Sequence, residues 1–275
     1  MSIVDRKFLE EQYFGWRAQD GLAKNYINVC KKAVSDESTF KNFKRSRAYK
    51  TILEHVSHDL GKKYLDHVKK NNPELLQHLD SFVKKNDRLG DPVKTLYSEY
   101  SNLEMSPTTA RYIKVLSDLE ILFGSLDGTN IVEIGGGYGG LATVISAKYS
   151  FNKYYNVDLK EPCLLSEKYC RQNNVEGFMA IPPKEIRAFF KKENFDLVIS
   201  NYAFSECNTE TQDIYIKEIF SRSKRGYITH NTHKDRAERV KEVIKQYDNF
   251  LVYGTDLSAK NHPILCWGSD RREKE

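Results

Sequence analysis

The chain has 275 residues, long enough to bury a sizeable core and to hold one large or two small domains. Its hydrophobic fraction of 40% and charged fraction of 29% suit a soluble globular protein, and no apolar run approaches the roughly 20 residues of a membrane span. Net charge is +5. The lysine pairs Lys62-Lys63, Lys69-Lys70 and Lys84-Lys85 are short and lack interleaved aromatics, so they read as solvated helical faces and not as a nucleic-acid site.

The N-terminal stretch MSIVDRKFLEEQYF carries acidic residues and no apolar h-region, so it does not read as a signal peptide. The five cysteines, Cys30, Cys163, Cys170, Cys207 and Cys266, are odd in number and widely spaced, with no C-x-x-C. That pattern argues against a disulfide framework or a zinc site and for reduced thiols in the cytoplasm.

Residues 1–90 read as helical, and as a lid or oligomerisation region, possible homodimer contact included. Leu53, Val56, Leu60 and Tyr64 recur at helical spacing. Asn72-Pro73 reads as a cap followed by proline at the first helical position, ahead of Leu75, Leu76, Leu79, Phe82 and Val83 on one face. Asp87 to Pro92 is turn-rich and marks a joint. Residues 91–275 then form the second region. Ser106-Pro107 starts a helix with Ile113, Leu116, Leu119 and Phe123 as its buried stripe.

From residue 130 strands and helices alternate. The strands expected are Ile131–Ile134, Tyr154–Val157, Gly177–Ile181, Phe195–Ser200, Tyr227–Thr229, Phe250–Gly254 and Ile264–Trp267. Helical segments separate the first six, which predicts a parallel sheet with helices on both faces. Only Thr255 to Pro263 separates the last two, too little for a crossover, so the final strand should be antiparallel. The tail, Asp270 to Glu275, reads as disordered.

The first of these strands runs into Gly135-Gly136-Gly137-Tyr138-Gly139-Gly140 and then a helix-like segment. Glycines let the backbone approach a ligand closely, and a helix N-terminus offers unpaired N–H groups. Gly135, Gly137 and Gly140 satisfy G-x-G-x-x-G, with Asp158 about 20 residues on, as in a dinucleotide site. Glu133 tilts the choice. A pyrophosphate is repelled by a carboxylate at that position, whereas a cationic amino-acid group is attracted. The pattern E-x-G-x-G-x-G resembles motif I of the class I methyltransferases, which use S-adenosylmethionine (SAM). An NAD-dependent enzyme is the alternative.

Ligands of an open parallel sheet bind beyond the carboxyl ends of its strands. Asp158, at the second strand end, can accept ribose hydroxyls or cap the following helix. The third strand end, Ala180-Ile181-Pro182, offers backbone or apolar contact. The fourth runs into Asn201-Tyr202-Ala203-Phe204-Ser205-Glu206, where Glu206 is either a catalytic carboxylate or a solvated loop acid. The fifth ends in Thr229-His230-Asn231-Thr232-His233. Its two histidines could also form part of a metal site, but no third ligand stands out, and none is expected.

Several blocks extend the resemblance: Met105-Ser106-Pro107-Thr108-Thr109-Ala110-Arg111-Tyr112-Ile113, the glycine stretch, Ser200 to Glu206, Gly226-Tyr227 and Ile264-Leu265-Cys266-Trp267-Gly268. Together they resemble the sugar O-methyltransferase family of bacterial surface-polysaccharide clusters, over roughly residues 95 to 268. The resemblance implies a Rossmann-like seven-stranded sheet and methyl transfer from SAM to the hydroxyl of a sugar, a sugar nucleotide or another phosphate-bearing capsule precursor. Glu133, Gly135, Gly136, Gly137, Asp158 and Asn201 would then hold the cofactor. His230 would act as base by virtue of its near-neutral pKa, with Glu206 orienting it or serving directly. Tyr100, Tyr202, Asn231 and His233 would contact the acceptor. The alternative of another class is a non-catalytic SAM-binding subunit.

Overall fold

The computed structural model describes residues 21–100, 102–231, 240–259 and 261–269. Strands β1 (Thr95–Tyr97) and β2 (Leu103–Met105) form a small antiparallel hairpin. The other seven are β3 (Asn130–Ile134), β4 (Lys153–Val157), β5 (Phe178–Ile181), β6 (Phe195–Asn201), β7 (Ser223–Thr229), β8 (Leu251–Thr255) and β9 (Pro263–Trp267). They form one sheet in the order β5-β4-β3-β6-β7-β9-β8. The first five pair in parallel, and β9 lies antiparallel between β7 and β8, as the short last connection requires.

The inner strands β4, β3, β6, β7 and β9 are buried on both faces, while the edge strands β5 and β8 expose Met179 and Val252, and alternate residues serve different cores. Ile131, Leu197, Ile199, Tyr227 and Cys266 point to one face; Val132, Ile134, Val198, Ile228, Leu265 and Trp267 point to the other. Helix Pro107–Phe123 and the N-terminal helices cover the first face. Residues 21–90 share that core: Tyr26, Phe40, Phe43 and Tyr49 belong to the same cluster as Ile131, Tyr154 and Tyr169. The joint at residues 87–92 is tied down too. Buried Asp87 accepts from the Ser106 amide (2.7 Å) and the Thr109 hydroxyl (2.6 Å), so the turn is fastened to the start of helix Pro107–Phe123. Among the described residues no helix is long and apolar enough to cross a membrane.

Three local expectations change. The stripe Leu53 to Tyr64 is not one helix. Helix Arg47–Ile52 stops at Leu53, and a new one, His58–Asn71, starts where the Ser57 hydroxyl accepts from the Leu60 amide (3.2 Å). After Pro73 the chain first makes a 3₁₀ turn, Pro73–His78, and only then the α-helix Leu79–Asn86. The β1–β2 hairpin was not foreseen, because three-residue strands carry too little alternation to read. The expected disordered tail, 270–275, lies outside the described residues.

Candidate active site

The glycine turn after β3 is built by backbone geometry that only glycine adopts easily. Gly135 and Gly137 have φ of +78° and +58°. A Cβ on Gly135 would lie 2.1 Å from the Ala203 Cβ, and one on Gly136 would lie 2.5 Å from a Glu133 carboxylate oxygen. The turn is also pinned from β4. The Gly135 amide donates to the Val157 carbonyl (2.8 Å), the Gly136 amide to Asn156 Oδ1 (3.0 Å) and the Gly137 amide to Asp158 Oδ2 (2.8 Å). Asn156 donates back to the Gly137 carbonyl (3.2 Å). Asn156, which sequence reading passed over, thus sets the loop's shape.

Two buried carboxylates flank this turn. Glu133 is 3% exposed and accepts from the Tyr154 hydroxyl (2.7 Å). Burial pushes its pKa up to about 7 and the Asp158 charge adds to the rise, while hydrogen bonds from Tyr154 and Asn201 and the charge of Arg111 oppose it. Burial also pushes Asp158 up to about 6, against the pull of its bonds from the Leu159 and Gly137 amides. Asp158 Oδ1 takes the Leu159 amide (2.7 Å), one residue ahead of helix Lys160–Gln172, so it faces the cavity without capping that helix.

Glu133, Gly135, Gly136, Gly137, Asp158 and Asn201 all line one cavity of about 300 Å³. So do three of the other expected residues, Tyr202, Glu206 and Asn231. The Asn201 side chain accepts from the Thr229 hydroxyl (3.2 Å), and Asn231 donates to Glu206 Oε1 (3.4 Å). Tyr202 stands at φ +72° and ψ −36°, a strained setting for a residue with a side chain. Hydrogen bonds at both ends of the residue hold it there. Its amide donates to the Thr229 carbonyl (2.9 Å) and its hydroxyl to Asp256 Oδ2 (2.7 Å).

Three expected residues stand elsewhere. Tyr100 lies at the β1–β2 hairpin, its hydroxyl bonded to Asp66, and does not line the cavity. His233 lies outside the described residues. His230 is 1% exposed and does not line the cavity either. Both of its ring nitrogens lack a hydrogen-bond partner among the described residues. Burial, with the nearby charge of His262, pushes its pKa down to about 4, so the ring is a neutral core group. In this position the ring lies behind the cavity wall.

Several lining residues escaped the sequence reading. His262 comes from the turn between β8 and β9; its ring meets Tyr202 edge-on with centroids 5.3 Å apart, and its Nδ1 has no partner among the described residues. Arg111, quoted only as part of a motif, comes from the first turns of helix Pro107–Phe123 and lies over the Tyr112 ring (5.4 Å). Tyr26, Leu53, His55 and Tyr64 come from the N-terminal helical region, which therefore walls the cavity. No signal in a single sequence joins these segments. Among the described residues, no three His, Cys, Asp or Glu side chains converge as a metal site.

The cavity fits SAM on chemical grounds. A glycine cradle that excludes any Cβ leaves room for close approach, a carboxylate faces it for an ammonium group, a guanidinium for a carboxylate, and a second carboxylate for ribose hydroxyls. No curated protein matches the chain. Solved structures that it resembles include the SAM-bound magnesium protoporphyrin IX methyltransferase of Synechocystis PCC 6803, at 13% identity over 76% of this chain and 97% of that one, with a TM-score of 0.46. Others are an rRNA methylase of Streptococcus thermophilus (18%, covering 51% and 86%, TM-score 0.40) and a SAM-dependent methyltransferase of Aquifex aeolicus (15%, covering 56% and 86%, TM-score 0.42). The family model of the methyltransferase small domain matches residues 93–247, from the β1 hairpin through β7 and beyond. With the seven-stranded sheet and its antiparallel β9, that match gives the fold as class I methyltransferase and the cofactor as S-adenosylmethionine. The chain belongs to the methyltransferase small domain family and is a SAM-dependent methyltransferase.

Proposed function

We propose that the chain methylates a hydroxyl oxygen of a sugar or sugar-nucleotide acceptor that feeds bacterial surface polysaccharide, with His262 as the base. The observation that carries this reading is the imidazole of His262 on the cavity wall, grouped with Glu206, Asn231 and the Tyr202 hydroxyl. The motif resemblance to sugar O-methyltransferases supports the choice of acceptor.

Glu133 and Arg111 would hold the two charged groups of the cofactor's amino-acid end, and Asp158 its ribose. When bound, SAM supplies an electrophilic methyl group on a cationic sulfur. A sugar hydroxyl is weakly acidic, so its proton must leave as the new C–O bond forms. His262 can take that proton on a ring nitrogen. Glu206 can fix the acceptor by accepting from one of its hydroxyls and Asn231 by accepting or donating, and Asn231 already donates to Glu206 (3.4 Å). Tyr202 is a poorer base. Burial and the neighbouring Asp256 charge push its phenol well above the ordinary value. It can still orient a hydroxyl.

The test is turnover on extracted sugar-nucleotide pools, read as a mass gain of one methylene and placed on oxygen by NMR. His262→Ala should cost on the order of 10²–10⁴-fold in turnover, the usual contribution of a general base, while S-adenosylhomocysteine binds as before. His230→Leu should keep turnover near wild type, because that ring reaches no acceptor. A dead His230→Leu beside an active His262→Ala would overturn the assignment of the base. Methyl transfer only to nitrogen would overturn the hydroxyl reading.

A further inference from the structure

A second, larger cleft opens beside the cofactor cavity. It measures about 590 Å³ and shares His55 and Val56 with the first. Its walls are the segment around helix Arg47–Ile52, β1 and the capped start of helix Pro107–Phe123, which carries Arg111 into the cofactor cavity one turn later. Four Lys or Arg residues line it, Lys44, Arg45, Arg47 and Lys50, against one carboxylate, Glu54.

These cations are not equivalent. Lys44 is engaged at the floor, donating to the Asn86 carbonyl (2.9 Å) and lying 4.3 Å from the Tyr138 ring centre. Arg45 is paired with Asp91. Arg47 and Lys50 are exposed and have no ion pair among the described residues. Glu54 has the converse character. Its Oε2 accepts from the Ser106 hydroxyl (3.3 Å), while its Oε1 is buried and has no partner. A buried acceptor without a donor costs free energy until a ligand supplies one. The cleft therefore combines two unpaired cations with one buried oxygen that calls for a hydroxyl or amide donor. No Phe, Tyr or Trp lines it, its rings are the imidazoles of His55 and His58, and two unpaired cations match one diphosphate better than a run of phosphates along a strand.

We propose that this cleft holds the phosphate-bearing part of the acceptor, a small diphosphate-linked sugar of the nucleotide-sugar type, with Arg47 and Lys50 on the phosphates and Glu54 on a hydroxyl. This rests on the hydroxyl-methylation reading and adds to it the acceptor's charge and its place. The shared wall at His55 and Val56 lets one acceptor span both spaces, with its phosphates in the basic cleft and its reacting hydroxyl in the cavity with His262.

The test is calorimetry on the full chain saturated with S-adenosylhomocysteine, using inorganic pyrophosphate, UDP and UDP-glucose as probes. All three should bind. The double variant Arg47→Gln, Lys50→Gln should bind each at least about tenfold more weakly, the equivalent of one lost charge-assisted contact, with S-adenosylhomocysteine affinity unchanged. Glu54→Gln should weaken UDP-glucose more than pyrophosphate. Absence of binding by all three probes, or equal binding by the double variant, overturns the proposal. So does tighter binding of a uridine oligonucleotide than of UDP at the same salt, which would point to a nucleic-acid acceptor. The two readings fail separately. Methylation of a neutral sugar, without diphosphate binding, sinks this cleft's role and leaves the hydroxyl reading standing. Diphosphate binding with transfer only to nitrogen does the reverse.

Discussion

Glu133 should make cofactor binding depend on pH, in a direction opposite to its effect on stability. Its carboxyl lies 3% exposed with a pKa pushed up to about 7. Only the ionised form attracts the cofactor's ammonium group. The apparent dissociation constant is the intrinsic one divided by the ionised fraction, which is about one tenth at pH 6 and about nine tenths at pH 8. Affinity for S-adenosylhomocysteine should therefore rise about tenfold between pH 6 and pH 8 and then level off. Asp158, raised to about 6, adds to the same trend at the lower end. The stability effect has the other sign. The folded-state pKa lies above the ordinary value of 4.5, so the folded chain keeps a proton that the unfolded chain releases between about 4.5 and 7. Stability without cofactor is lost as pH rises through that window, by up to about 3 kcal/mol for a shift of this size. Glu133→Gln should therefore be more stable than wild type at pH 8 in urea titrations, and equally stable near pH 4. It should bind S-adenosylhomocysteine weakly at every pH. A wild-type affinity that is flat from pH 6 to 8, or a Gln variant that keeps the slope, would refute the placement of the ammonium group on Glu133.

Two further outcomes follow from local geometry. Gly135→Ala should abolish S-adenosylhomocysteine binding in calorimetry, since its Cβ meets Ala203 at 2.1 Å and its φ of +78° strains any side chain; Ala203→Gly added to it should restore binding only in part. Lys114 and Asp118, 1% and 0% exposed and 2.7 Å apart, form a buried pair that also reaches Tyr227. Lys114→Met should cost about 2–4 kcal/mol in urea unfolding by removing the ammonium from Asp118 and leaving it only the Tyr227 hydroxyl (2.7 Å) and the His67 ring (3.2 Å), with Asp118→Asn recovering much of it.

The sheet was legible because burial on both faces writes each strand as an apolar run between turns. All seven strands stand where they were expected, within a few residues. β7 was cut short at its start because Lys224 and Arg225 interrupt the apolar run; these residues face outward or lie half-buried while Gly226 to Thr229 are inside. The convergence of the residues proposed to hold the cofactor on one cavity was equally readable. Glu133, the glycines and Asp158 sit at fixed steps from a strand end, and the fold puts strand ends together. The acceptor side was not, because its walls come from places that only packing joins. His262 arrives from a hairpin across the sheet, and Leu53 and His55 from a break between two N-terminal helices that the apolar stripe had concealed.

The placement of His230 shows where single-sequence reasoning loses resolution. His230 follows directly on β7, and its amide extends the ladder by donating to the Pro263 carbonyl (2.9 Å). The backbone there is still strand-like, so neighbouring side chains take opposite faces. Asn231 lines the cavity and bonds to Glu206; His230, one residue earlier, is turned into the core. Composition identifies a histidine near the end of the fifth parallel strand but not which side of it the ring takes, and a one-residue shift exchanges every role. The same hydrogen bond that fixes His230 inward belongs to β9's first residue, Pro263, and the residue before Pro263 is His262. Closing the ladder between β7 and β9 thus buries one imidazole and, in the same contact, sets the other at the cavity wall.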